Sequence, residues 1–282
     1  RLRDLSLRLA AKGVHVVLPA ERLPLQHIVI LGAADKRSIF AIPRGDIVYV
    51  GTTDTSYTKQ ADLWPAITRE DVEYLLEPLA RSLDVEPVRA EECVSAWSGL
   101  RPLIAQPGKP PTEISRRDEI WVGPAGLVSI AGGKLTGYRK MAAGAVERVG
   151  QLLGATLQAA APDEPLPGGD FAGDLDSLSG ALAREFALDP LAAARLARLY
   201  GSEAEQVAKS GAKAILPGGR VLEGEIVWAL AEEGAATVSD VLYRRTRAAL
   251  YEPRERTALV RPVAERMTRQ LGWTAARMEE EI

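Results

Sequence analysis

A single cysteine, Cys93, stands in the 282 residues, which excludes an internal disulfide and a cysteine metal cluster. It reads as a buried, inert thiol in a reducing compartment such as the cytoplasm. His15 and His27 are the sole imidazoles, too few for a histidine metal site. No apolar run approaches the roughly 18 residues that a spanning helix needs. Residues 1–12 are basic and contain leucines, but they lack the apolar core and cleavage-like end of a targeting peptide. A net charge of −3 gives no basis for nucleic-acid binding. What is present, with 46% apolar residues, is the composition of a soluble globular chain of one or two domains.

The first part reads as antiparallel sheet. Residues 14–18, 27–31, 38–42 and 46–50 are short β-branched runs, and the turn formers at 33–36 and 43–46 are hairpin-like, so neighbouring strands should pair as a meander. Residues 51–55, Gly-Thr-Thr-Asp-Thr, form a hydroxyl-rich exit from the last strand, a self-bonded turn or a ligand-facing loop. Thr68 with Asp71 opens a helix whose apolar face is Val72, Leu75, Leu76 and Leu79. Residues 92–97 are extended and lead to Arg101, on a constrained loop between Gly99 and Pro102. Residues 113–121 read as a hairpin with Arg116 and Arg117 at its tip.

The chain is organised around residues 126–153. Residues 126–130 alternate as a strand, and 138–153 carry Met141, Ala145, Val149 and Leu152 at helical spacing, so Gly132 and Gly133 sit at a strand-to-helix turn. Glycines there let a flat ligand approach the backbone, and the first N–H groups of the helix attract anions. A tight connection whose glycines serve packing alone stays open. Prolines at 162, 165 and 167 mark a linker. Beyond it, 178–186, 190–200, 202–209, 223–232, 237–250 and 255–271 read as helices, with capping-box spacing at Ser202/Glu205 and Thr237/Asp240.

His15 in a strand, Arg101, Arg116 and Lys134 are the polar residues to bring around one ligand. Arginine forks, a lysine charge and a helix N-terminus suit a phosphate ester, and an imidazole of ordinary pKa near 6.5 can take a hydroxyl proton. Each also has an ordinary reading as a satisfied sheet residue or a solvated surface cation.

Residues 12–17 (Lys-Gly-Val-His-Val-Val), 51–54 (Gly-Thr-Thr-Asp), 98–103 (Ser-Gly-Leu-Arg-Pro-Leu), 114–116 (Ile-Ser-Arg), 132–136 (Gly-Gly-Lys-Leu-Thr) and 138–140 (Tyr-Arg-Lys) resemble, in order and spacing, the aerobic, bacterial-type FAD-dependent glycerol-3-phosphate dehydrogenases. The resemblance continues through 166–169, 199–201 and 244–246. It implies a peripheral membrane flavoprotein of glycerol metabolism that oxidises sn-glycerol 3-phosphate to dihydroxyacetone phosphate, with hydride passing from C2 to flavin N5 and electrons to quinone. His15 then corresponds to the base and Arg101 to the arginine beside substrate and flavin. Arg116 and Lys134 correspond to the phosphate-side cations, and Gly132, Gly133, Lys134, Leu135 and Thr136 to the FAD contacts. The implied fold is α+β: an antiparallel-sheet substrate-binding region with the C-terminal strand-helix of a FAD-binding domain over 1–154, a linker over 155–169 and an all-helical C-terminal domain over 170–282.

Two departures qualify this resemblance. No G-x-G-x-x-G turn precedes His15, so the chain corresponds to the C-terminal portion of the family and its hold on FAD by itself is in question. Gly137 stands where the family commonly has threonine, which loosens the first helical turn by up to about 1 kcal/mol. A glycerol-3-phosphate oxidase using O2 and a non-catalytic phosphate-binding or assembly module remain as alternatives. From 239 to 271, eight arginines face four carboxylates, which suits an anionic lipid surface, a homodimer contact or internal ion pairs.

Overall fold

Alternating burial along the β-branched runs shows how the first part folds. The computed structural model describes residues 9–57, 64–103, 118–157 and 164–282. The chain divides into two compact units, Arg1–Pro162 and Asp163–Ile282. In the first, β1 (Leu9–Pro19), β2 (Val29–Gly32), β3 (Ser38–Arg44), β4 (Ile47–Gly51), β5 (Thr55–Tyr57) and β6 (Ser95–Leu103) form one antiparallel sheet. β2, β3 and β4 are joined as the expected hairpins. β1 departs from the meander. It pairs with β4 and β5 along one edge and with β6 along the other, and β2 is not its neighbour. The reason lies in its burial: from Ala11 to Leu18 every residue except His15 is buried, the pattern of a central strand.

One face of this sheet carries the core. Val14, Val16 and Leu18 of β1, with Ile39, Ala41, Val48 and Val50, pack against Leu75, Leu76 and Leu79 of α1 (Arg69–Ser82). The capping box forms as expected, with the Thr68 hydroxyl accepting from Asp71 N and the Asp71 carboxylate accepting from Thr68 N at 2.8 Å. Asp71 also receives the buried Lys12 ammonium at 2.5 Å, which ties β1 to the start of α1. Cys93 is half-buried rather than buried; burial and the nearby Glu92 and Glu91 push its thiol up to about 11, which keeps it protonated and inert.

Two further strands, β7 (Asp118–Val122) and β8 (Val128–Gly132), make a separate antiparallel hairpin that leads into α2 (Tyr138–Leu153). Helix α2 takes the span that its periodicity predicts, and Gly150 is its only buried residue.

The second unit is helical, as expected: α3 (Leu175–Glu185), α4 (Pro190–Tyr200), α5 (Ala204–Lys209), α6 (Glu223–Ala231), α7 (Ala248–Tyr251), α8 (Arg256–Leu271) and α9 (Ala275–Glu281). The predicted helix over 237–250 is broken. Residues 240–245 form a π-helix, opened by the expected Thr237/Asp240 box, and Arg247 takes a left-handed backbone at φ 56° before α7 begins. The Ser202 box does not form, because Ser202 N donates to Gly168 O and Glu205 pairs with Lys209.

The motif residues here have structural work. Gly168 and Gly201 sit backbone to backbone with no room for a Cβ at either. Glu225, fully buried, receives Arg195 at 2.7 Å and the Leu222 N–H at 2.8 Å, while Arg195 also donates to Thr246 O. In the arginine-rich stretch, Arg244, Arg261 and Arg266 pair with Asp240, Glu279 and Glu223, and Arg245 donates to Glu233 O, so internal pairing accounts for much of its charge. Among the described residues, no helix is long and apolar enough to cross a membrane.

Candidate active site

The register of β1 against its neighbours decides what stands on the sheet face opposite α1. Directly paired residues share a face, so Gly13 and His15 of β1 lie with Gly99 and Trp97 of β6 and with Gly51 of β4. Arg101, two positions beyond Gly99 on β6, projects from that same face. Sequence reading puts Arg101 on a loop; the structure places it within β6, paired with Ala11. Among the described residues β6 has no second partner strand, and an edge strand tolerates the proline that follows.

His15 stacks on Trp97, with ring centroids 5.0 Å apart and planes 12° from parallel, and Tyr49 tilts toward both rings. A Cβ on Gly51 would collide with Cδ2 of the imidazole, so the glycine opposite is what seats the ring. Burial, and then the charge of Arg101, lower the His15 pKa from 6.5 to about 4, so the imidazole is neutral at pH 7.

Arg101 is held from the far side of β1. Its Nη1 donates to Asp54 Oδ1 at 2.9 Å and its Nη2 to Thr52 Oγ1 at 3.0 Å. The guanidinium gets there by lying over Gly13, where a Cβ would stand 2.9 Å from Nη2. The 52–54 segment sits between β4 and β5 and does not bond only to itself. Thr53 Oγ1 accepts from Val14 N at 2.9 Å and donates to Lys12 O, filling the gap between the two ladders on β1.

The other candidates form a second group at the end of β8. Gly132 and Gly133 take left-handed backbone at φ 80° and 76°, which a side chain would strain. A Cβ on Gly133 would also meet Met141 Cε at 2.7 Å, so this glycine serves the packing of α2 as well as the turn. Lys134, Leu135 and Thr136 are exposed, Lys134 as the extended residue before a single 3-10 turn over Leu135–Gly137, and α2 begins without a side-chain cap. The N–H groups of Gly137 and Tyr138 are spent on Lys134 O and Leu135 O, which leaves those of Leu135 and Thr136, in the turn before α2, for an outside acceptor.

The structure thus brings His15 and Arg101 together on the sheet and Gly132 to Thr136 together on the hairpin, and no hydrogen bond or ion pair among the described residues joins the two groups. Arg116 lies outside the described residues. Sequence reading gives no role to Trp97 and Tyr49, and it picks out Thr52 and Asp54 only as part of the 51–55 segment, a self-bonded turn or a ligand-facing loop, without joining them to Arg101. The one local sign is the glycine that closes the β-branched run at Gly51, a mark of close approach, and what approaches it is set by register.

Two family models match the chain: FAD dependent oxidoreductase over residues 1–139, and the C-terminal domain of alpha-glycerophosphate oxidase over residues 159–278. The class is thereby an FAD-dependent oxidoreductase with that helical domain attached. The aerobic glycerol-3-phosphate dehydrogenase of Staphylococcus epidermidis is 38% identical over 255 residues, covering 86% of this chain and 45% of the relative. That of Bacillus subtilis is 37% identical over 252 residues, covering 83% and 45%. The crystal structure of the glycerol-3-phosphate dehydrogenase from Bacillus halodurans complexed with FAD superimposes with a TM-score of 0.80 at 33% identity, over 96% of this chain and 55% of that one. The chain belongs to the FAD-dependent aerobic glycerol-3-phosphate dehydrogenase family, and it spans about half the length of the curated relatives it matches.

Proposed function

We propose that this chain is the substrate-side part of an enzyme that oxidises sn-glycerol 3-phosphate to dihydroxyacetone phosphate. The observation that carries the reading is the convergence of a neutral imidazole and a braced guanidinium on one sheet face. His15, neutral at pH 7, takes the proton of the C2 hydroxyl at a ring nitrogen as C2 gives up its hydride. Arg101 stabilises the oxygen on which negative charge grows, and Trp97 fixes the plane of the imidazole. Lys134 and Arg116 bind the ester phosphate, whose charge offsets the pull of Arg101 on His15 and so raises the proton affinity of the base.

The residues at the end of β8 fit a flavin. The exposed Gly132 backbone leaves room for a flat ring system, and the uncapped start of α2 favours negative charge. Gly132, Gly133, Lys134, Leu135 and Thr136 would hold FAD, which supplies the hydride acceptor at N5 and passes the electrons on to a quinone. In the full-length protein carrying this chain, Arg101→Ala and Lys134→Ala should each cost more than about 2 kcal/mol of transition-state stabilisation in kcat/KM for glycerol 3-phosphate. Unchanged kcat/KM in either variant would remove that residue from the site.

One observation favours a second acceptor. The family model for the helical unit is described from an oxidase, the alpha-glycerophosphate oxidase. Following oxygen uptake beside quinone reduction with the same substrate separates the two: electrons appearing mainly as hydrogen peroxide would replace quinone by O2.

A further inference from the structure

Arg101 can present its donors to a substrate only if the guanidinium is held where it lies, and its own strand does not hold it. The side chain leaves β6, crosses β1 at Gly13, and ends on two groups of the 52–54 segment. We infer that Asp54 is the positioning residue of Arg101, with Thr52 as second anchor and the missing side chain of Gly13 as the channel through which the arm passes. The inference deepens the proposed function and rests on it.

The geometry defines the division of labour. Of the five N–H donors of a guanidinium, one on Nη1 is taken by Asp54 and one on Nη2 by Thr52. Three remain, and among the described residues none of them is engaged. Fixing two donors pre-sets the plane and direction of the rest, so the loss of side-chain freedom is met in folding and not at the moment of binding. Asp54 is itself held, because its backbone carbonyl accepts from Arg37 Nη1 at 2.6 Å. Arg37 in turn pairs with Asp35, which also takes the Tyr74 hydroxyl at 3.1 Å, so the brace runs back to α1. Gly13 has no positive φ that would demand glycine, and a Cβ there would stand 2.9 Å from both Arg101 Nη2 and Thr52 Oγ1, so clearance for the arm and its second anchor is the reason no side chain stands there. The Asp54 carboxylate also sets a negative charge against the guanidinium whose positive charge lowers the proton affinity of His15.

The test is a double-mutant cycle in the full-length FAD-loaded protein, reading kcat/KM for glycerol 3-phosphate. Asp54→Asn keeps shape and removes the charge; Gly13→Ala fills the channel. Each alone should lower kcat/KM ten- to a hundred-fold. In the Arg101→Ala background the same two substitutions should change kcat/KM less than two-fold, since no guanidinium remains to be held. An Asp54 that merely supports the fold would exert its cost in both backgrounds, and that result would overturn the inference, as would full activity of D54N and G13A in the presence of Arg101. If Arg101→Ala alone leaves kcat/KM unchanged, the failure lies with the proposed role of Arg101, and the inference falls with it. Should D54N lose its flavin or fail to fold, G13A, which leaves the Asp54 carboxylate in place and displaces only the arm that reaches it, carries the cycle.

Discussion

The two regions of the first unit that bear candidate residues are built on opposite terms. The β1 sheet is closed on one face by α1 over a contiguous core, and its other face holds His15 and Arg101 in fixed, bonded positions. The β7–β8 hairpin with α2 has almost no interior. Leu135 is 87% exposed, Leu153 70%, and Leu127 60%, on a helix and hairpin that bury a single glycine. The sheet region is organised by its own packing, whereas the hairpin region has local geometry without a core to stabilise it. Its side chains are set by turn chemistry, helix propensity and a thin seam in which Met141 meets Gly133 and Ile120 meets Gly144.

The largest test of that difference is in the core. Leu75→Ala, at a fully buried side chain, should lower the unfolding free energy of the chain by about 2–5 kcal/mol in urea melts. A loss below 1 kcal/mol would mean that the sheet region is as loosely built as the hairpin. Next comes pH. Folded His15 titrates near 4 and the unfolded chain near 6.5, so both forms are neutral above 6.5. As pH falls from 6.5 to 4 only the unfolded chain takes up the proton, and up to about 3 kcal/mol of stability is lost. Below about 4 the contribution is flat. His15→Gln should remove this part of the acid sensitivity; profiles that run parallel for wild type and variant would show that the ring is not desolvated.

A smaller effect is expected at Gly51→Ala, where the new methyl must displace the imidazole, costing about 1–3 kcal/mol and disturbing the His15–Trp97 stack seen in tryptophan fluorescence. The smallest is on α2. Leu153→Ser should change the stability of this chain by no more than about 0.5 kcal/mol. A change above 1 kcal/mol would show that this face packs against something, and would erase the contrast.

Much of this was legible in the residues because it is local. Strands β2 to β4, the Thr68/Asp71 box and the span of α2 follow from periodicity and caps within a dozen residues of each other. His15, Arg101 and the Gly-Gly-Lys turn stand out as candidates by residue chemistry, strand-to-helix periodicity and motif order, and their roles belong to the proposal. What escaped reading depends on register. Trp97 meets His15, and Asp54 meets Arg101, only because β1 lies between β4 and β6, and no local pattern fixes that placement. The break at Arg247 was hidden for a different reason: 237–250 has helical periodicity throughout, and the interruption follows from Thr246, whose hydroxyl donates to Val241 O while its carbonyl accepts from Arg195.

The Lys12–Asp71 pair has a consequence for chemical reactivity. The Lys12 amine is buried and engaged by a carboxylate and the Ala66 carbonyl, while Lys134 stands open to solvent. An amine-selective label would meet Lys134 directly from solvent and reach Lys12 only when β1 parts from α1. The two lysines thus give one chain a built-in clock, one hand reading solvent and the other reading the opening of the strand that carries His15.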